Sequence, residues 1–188
     1  MPQGLETGKF GSRLAARMRN DLRYEGWSIY YDHGDATMDP AVAAIKGFFG
    51  AEVKNVNRLA DVDVLIGSPD GAARVLIEIE ERPCSPKKIL GDIFALLLCN
   101  RFAVRKGQEQ RVFRASPSTR VIVAGVLPGR GHRLCKVEDV IVPRLYQLQG
   151  LSDGISPRNV HLVFSETIRA SLEKADRLLA SWDILSGA

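Results

Sequence analysis

Asp61-Val62-Asp63-Val64-Leu65-Ile66, followed a short turn later by Val75-Leu76-Ile77-Glu78-Ile79-Glu80-Glu81, decides how this chain is read. Side chains in a strand alternate between faces with a period of two. Asp61, Asp63 and Leu65 therefore share one face, and Val62, Val64 and Ile66 the other. In the second segment Leu76, Glu78 and Glu80 share a face opposite Val75, Ile77 and Ile79. Ser68-Pro69-Asp70-Gly71 between them carries chain-reversing residues. The pattern predicts an antiparallel hairpin. A register pairing Gly67 with Arg74 sets Asp63 opposite Glu78 and Asp61 opposite Glu80.

Like charges directly opposite each other in a sheet are destabilising. Such carboxylates raise each other's pKa or require a cation. A hard divalent ion, Mg²⁺ or Mn²⁺, bound by a few carboxylates plus water and phosphate, relieves the repulsion. The alternative is a solvated acidic hairpin end, screened by water.

Outward from the hairpin, Phe10, Leu14, Met18 and Leu22 predict a helix over 8–24, with Gly26 at its end. Trp27 to Tyr31 reads as extended. Asp39-Pro40 reads as the start of a second helix reaching Phe49. Glu52 to Val56 reads as a strand. After Glu81, Ser85 caps and Pro86 opens a helix to about Arg101, with Ile89, Ile93, Leu96 and Leu97 inward. Residues 105–118 read as a basic loop, Arg120 to Val126 as a buried strand, and Val137 to Gln149 as helix. Asn159 to Phe164 reads as a strand, then Ser165 caps a last helix to about Trp182.

With 188 residues, 45% hydrophobic and 26% charged, the chain suits a single soluble domain. No apolar run is long enough to span a bilayer, and no membrane partner is expected. The polar N-terminus does not read as a signal peptide. Cys84, Cys99 and Cys135 lack metal-type spacing, and so sparse and odd a count predicts a reducing, cytoplasmic setting. His33, His132 and His161 are scattered and read as surface or core-edge residues. Gly129-Arg130-Gly131-His132 lacks the Gly-Lys-Ser/Thr of a P-loop. The net charge of +4 is unevenly placed. Arg101, Arg105, Lys106, Arg111 and Arg114 cluster with only Glu109 against them, followed by Arg120, Arg130, Arg133 and Lys136. Such clusters suit a phosphate backbone; the alternative is a solvated loop.

The element order and the acids resemble the PD-(D/E)xK nuclease superfamily, which includes restriction endonucleases and Holliday-junction resolvases. Asp63 matches the acid of its second core strand, and Glu78 the acid of its acid-x-lysine motif, 78 − 63 = 15 residues later. The resemblance covers about residues 8–126. It implies an α/β, restriction endonuclease-like fold: a mixed sheet flanked by helices, built from a core helix, a three-strand meander, a helix and a strand. Residues 1–188 then form one domain, with C-terminal elaboration over 127–188. It further implies a Mg²⁺-dependent (or Mn²⁺-dependent) nuclease acting on DNA, and a homodimer where two strands are cut. Asp63, Glu78 and the Ile79 carbonyl are the implied metal ligands. Glu80 stands where the family has lysine. It would hold metal through water or orient the attacking water. Lys88 or Lys87, in the next helix's first turn, would supply the missing cation; the alternative is a pair of solvated lysines. Asp61, Glu81, Glu25 and Glu52 are secondary candidates. A non-catalytic nucleic-acid-binding or regulatory protein of the same fold is the rival function.

Overall fold

Asp63 is where one sheet ends and the next begins. The computed structural model describes residues 4–83, 85–126, 142–147 and 154–182. Instead of one continuous strand, the acidic stretch forms β3 (Arg58–Val62) and β4 (Val64–Gly67). The side-chain alternation resets at the break. Val62 joins the same core as Leu65, whereas Val64 and Ile66 face the opposite one.

A mixed five-stranded sheet runs β1-β4-β5-β8-β9, with β1 Ser28–Tyr31, β5 Ala73–Pro83, β8 Arg120–Val126 and β9 Val160–Ser165. β1, β4 and β5 are antiparallel neighbours, while β8 and β9 run parallel to β5. A four-stranded antiparallel sheet runs β3-β2-β6-β7, with β2 Ala44–Phe48, β6 Arg101–Lys106 and β7 Glu109–Arg114. The helices are α1 Leu5–Arg19, α2 Pro86–Leu98, a single turn α3 Val142–Leu145, and α4 Ile168–Ser181. The chain is thus a mixed α/β protein. No helix among the described residues is long and apolar enough to cross a membrane.

Two cores cover the main sheet. On one side Leu65, Leu76, Val121 and Val123 meet the second sheet (Ile45, Phe102, Phe113) and α2 (Ile89, Ile93). On the other, Ile66, Val75, Ile77 and Ile122 meet α1 (Phe10, Leu14) and α4 (Leu172, Leu179). The hairpin register is as expected from Val64↔Ile77 to Ile66↔Val75. A bulge then pairs Gly67 with Ala73 rather than Arg74. A Cβ on Gly67 would stand 2.1 Å from the Phe113 ring, so glycine lets the two sheets close up there.

Several expectations are corrected. Asp39 does not open a helix. Its carboxylate accepts from the Ala41 N–H, Arg19 and the Tyr31 hydroxyl, and the chain enters β2. Pairing of β2 with both β3 and β6 overrides the local cap signal. Asn55–Asn57 forms a 3₁₀ turn, so the strand begins at Arg58 rather than at Glu52. Residues 105–118 are not a loop, since most of them belong to the β6–β7 hairpin, which turns through Gly107 (φ 58°). Charges on both faces of β7 hide the alternation there. The first helix ends at Arg19, followed by a 3₁₀ turn Leu22–Tyr24, and α2 stops at Leu98. Thr167, not Ser165, caps the last helix. Of the helix expected over 137–149, Val142–Leu145 is helical and most of the rest lies outside the described residues. Cys84, Cys135, His132, Arg130, Arg133 and Lys136 also lie outside them.

Leu76 is 0% exposed between the sheets, and the Ser85 hydroxyl accepts from the Lys88 N–H. Leu76→Ala is expected to lower the free energy of unfolding by about 2–5 kcal/mol. Ser85→Ala should cost about 1 kcal/mol. Urea denaturation measures both; a loss below about 1 kcal/mol for Leu76→Ala would contradict the packing between the sheets.

Candidate functional site

A cavity of about 460 Å³ opens where β3, β4 and β5 diverge, walled by Asp63, Glu78, Glu80, Lys88, Lys46 and His33. Its floor follows from the register. Continued by one residue past Val64↔Ile77, the pairing sets Asp63 beside Glu78. The Ile79 N–H donates to Asp63 Oδ2 at 2.7 Å. In an extended strand the N–H and C=O of one residue point to the same side. The Ile79 carbonyl therefore turns toward Asp63, and Ile79 lines the cavity.

Both carboxylates are half-buried at the cavity wall. Burial pushes Asp63 up to about 6, against the hydrogen bond from Ile79 and the nearby His33. Glu78 is more enclosed still. Burial, then the charge of Asp63, raises it well above the usual carboxylate range, and Lys88 only partly opposes this. Glu78 Oε2 is buried and accepts no hydrogen bond. A buried carboxylate oxygen without a donor is costly unless it is protonated or meets a cation.

Glu80 lies on the same side of β5 and pairs with Lys88 from the first turn of α2. Lys88 also reaches Asp92 at 3.3 Å. Asp63, Glu78, Ile79, Glu80 and Lys88, the residues singled out in the sequence, therefore line one cavity. Asp61 does not face Glu80 as expected. It belongs to the second sheet, opposite Lys46. Lys46 at 2.7 Å and Arg58 at 2.5 Å hold its carboxyl below the usual range, outweighing the upward push of burial. Asp61 and Lys46 still form one wall of the cavity. Lys87 is exposed and does not line the cavity. Glu25 is exposed at the end of the 3₁₀ turn, and Glu52 is exposed and paired with Lys54 at 2.7 Å, both away from the cavity.

Glu81 has a different task. Its carboxylate accepts from the N–H groups of Gly4 (3.1 Å) and Thr7 (2.7 Å) and from the Thr7 hydroxyl (2.8 Å). It caps the start of α1 from a distant strand, and these bonds lower its pKa despite partial burial.

The chain reading missed His33. Its Nε2 lies 3.6 Å from Asp63 Oδ1. Its backbone is left-handed, φ 63°, the one non-glycine of this kind among the described residues. Two glycines of the N-terminal segment make room. A Cβ on Gly4 would stand 2.4 Å from the His33 ring, and one on Gly8 2.0 Å from its carbonyl oxygen. The polar turn Asp32-His33-Gly34-Asp35 marks a chain reversal, but nothing in it points to a residue thirty positions away. His161 is half-buried against Trp182, with ring centroids 4.9 Å apart, in line with a core-edge role.

Among the described residues no three His, Cys, Asp or Glu side chains converge tightly enough to hold an ion unaided. The donors present are two carboxylates and a carbonyl. That set fits Mg²⁺ better than a cage-bound metal, because Mg²⁺ keeps several waters and takes one or two carboxylates plus substrate phosphate. The orphaned Glu78 oxygen is the observation that fits a cation here.

An acid whose folded pKa exceeds its unfolded value binds its proton more tightly in the fold. Between 3.8 and about 6 the folded chain then holds the extra proton of Asp63. Stability falls as pH rises through that window. In EDTA, Asp63→Asn keeps an oxygen acceptor for Ile79 but carries no charge. Relative to wild type it should gain stability between pH 4 and pH 7, by up to about 3 kcal/mol. Melting temperatures across that range test this, and a pH-independent difference between the two would refute it.

No family model, curated protein or solved structure matches the chain, so the site stands on its own chemistry.

Proposed function

We propose that the chain is a Mg²⁺-dependent nuclease of restriction endonuclease-like fold, hydrolysing phosphodiester bonds in DNA at the cavity between β4, β5 and α2. The observation that carries this reading is the pair Asp63 and Glu78, half-buried side by side, with one buried Glu78 oxygen lacking any donor. The order of antiparallel β1, β4 and β5, then α2, then parallel β8 supports it, because it resembles the core order of the PD-(D/E)xK superfamily.

Asp63, Glu78 and the Ile79 carbonyl would hold the ion. Bound there, Mg²⁺ would draw negative charge from the phosphate and favour ionisation of water. Glu80 accepts the proton of the attacking water, the new P–O bond forms, and the opposite P–O ester bond breaks. The leaving alkoxide takes a proton from solvent. Lys88, anchored by Glu80 and Asp92, faces the phosphate and balances charge that builds on its oxygens. Its place in the first turn of α2 adds the positive end of that helix. Cutting both strands would use a homodimer with two such sites.

A non-catalytic nucleic-acid-binding protein of the same fold is the second reading. It is favoured by Glu80 at the family's lysine position and by the engagement of Lys88 in two ion pairs. Cleavage of supercoiled plasmid with Mg²⁺ or Mn²⁺ separates the readings. Asp63→Ala and Glu78→Ala should each lower the rate by about 100-fold or more, as should EDTA. A folded wild type that binds DNA and cuts neither plasmid nor single strands with either ion would favour the second reading.

A further inference from the structure

The four-stranded sheet sorts its basic residues between two faces. Partners in register stand on the same face. One face carries Ile45, Phe102 and Phe113 into the core. Lys106 and Arg111 belong to that side. Lys106 bonds the Pro40 carbonyl, and Arg111 lies over the Phe113 ring at 4.8 Å and bonds the Ser28 hydroxyl. The outer face carries Arg101 opposite Arg114, Arg105 opposite Gln110, and Lys46 opposite Asp61.

We infer that this outer face is a track for the phosphate backbone of a duplex, leading into the cavity past Lys46. The inference rests on the reading of the chain as one that acts on nucleic acid. Arg101 and Arg114 face each other across a strand pair, where like charges repel unless an anion lies against them. Arg101 bonds the Ala51 carbonyl and Arg105 the Gln110 amide, both neutral. Among the described residues, no carboxylate pairs with Arg101, Arg105 or Arg114. The unsatisfied charge is positive, and its complement is a polyanion. Phe48, the ring at the strand positions of this face, is 1% exposed, so no base stacks on the strands; the exposed ring of Phe49 (53%) lies past the end of β2. A backbone, not splayed bases, is what such a surface holds. Lys46 and Asp61 belong both to this face and to the cavity wall, which makes the track continuous with the site.

The test is fluorescence anisotropy of a labelled duplex and a labelled single strand of equal length, in EDTA, over a salt series. R101A/R114A and K106A/R111A remove equal charge from opposite faces. R101A/R114A should bind the duplex at least about 10-fold more weakly at moderate salt and reduce the slope of log affinity against log salt by about 2. K106A/R111A should change affinity by less than about 3-fold. Melting temperature confirms folding, and R101Q/R114Q replaces a variant that melts early. Equal weakening by the two pairs overturns the track, as does unchanged binding by R101A/R114A. Tighter binding of the single strand than of the duplex overturns the duplex as occupant, and a wild type that binds neither overturns the whole proposal. Plasmid cleavage by the same proteins separates the two readings. Intact binding and cleavage in R101A/R114A removes the track and leaves the nuclease. Face-specific binding without any cleavage leaves the track and removes the hydrolysis.

Discussion

Strand β5 is buried on both sides through Val75, Leu76 and Ile77, and the next residue is a glutamate, half-buried where the cavity opens. Ionising that carboxylate is costly, because its Oε2 is buried without a donor. The cost is met by neighbours on β4, β5 and β8. Leu65, Leu76, Ile77 and Val123 are each 0% exposed, and burying such side chains contributes about 1.5–3 kcal/mol apiece. The charge state of the site and the stability of the fold are therefore one problem. Any proton or cation taken up by Glu78 and Asp63 strengthens the sheet that positions them.

Asp63 can occupy this place because the chain breaks there. Val62 pairs with Ile45 in one sheet and Val64 with Ile77 in the other. The residue between them is freed from regular alternation. Its carboxylate turns back to the Ile79 N–H while its own carbonyl accepts from Asp32. One aspartate thus ties together both sheets and the turn that carries His33.

The sequence made legible what depends on local pattern. Ser85-Pro86 announced α2, alternation at 75–80 announced β5, and the 15-residue spacing of Asp63 and Glu78 survived a bulge because the strand pairing below it is regular. Strands β2, β6 and β7 were less legible. Ala44–Phe48 becomes a strand through partners on both sides, and Glu109–Arg114 buries only Phe113 fully, so neither has a clean period. The cavity wall formed by Lys46, Asp61 and His33 depends on how the two sheets meet, which no local window encodes. Alternation turned Glu81 to the face away from Glu78 and Glu80, and only the position of α1 reveals it as a cap.

That cap has a consequence for the order of folding. Glu81 holds Gly4 and Thr7 across separations of 77 and 74 residues. Contacts so distant in sequence raise the relative contact order, and loop-closure entropy must be met before they form. During synthesis the first helix emerges well before the strand that finishes its N-terminus. It therefore waits, incompletely capped, until β5 has joined the sheet. The turn at His33 is pressed against this same helix at Gly4 and Gly8. The last wall of the cavity thus closes only when the two ends of this long loop meet.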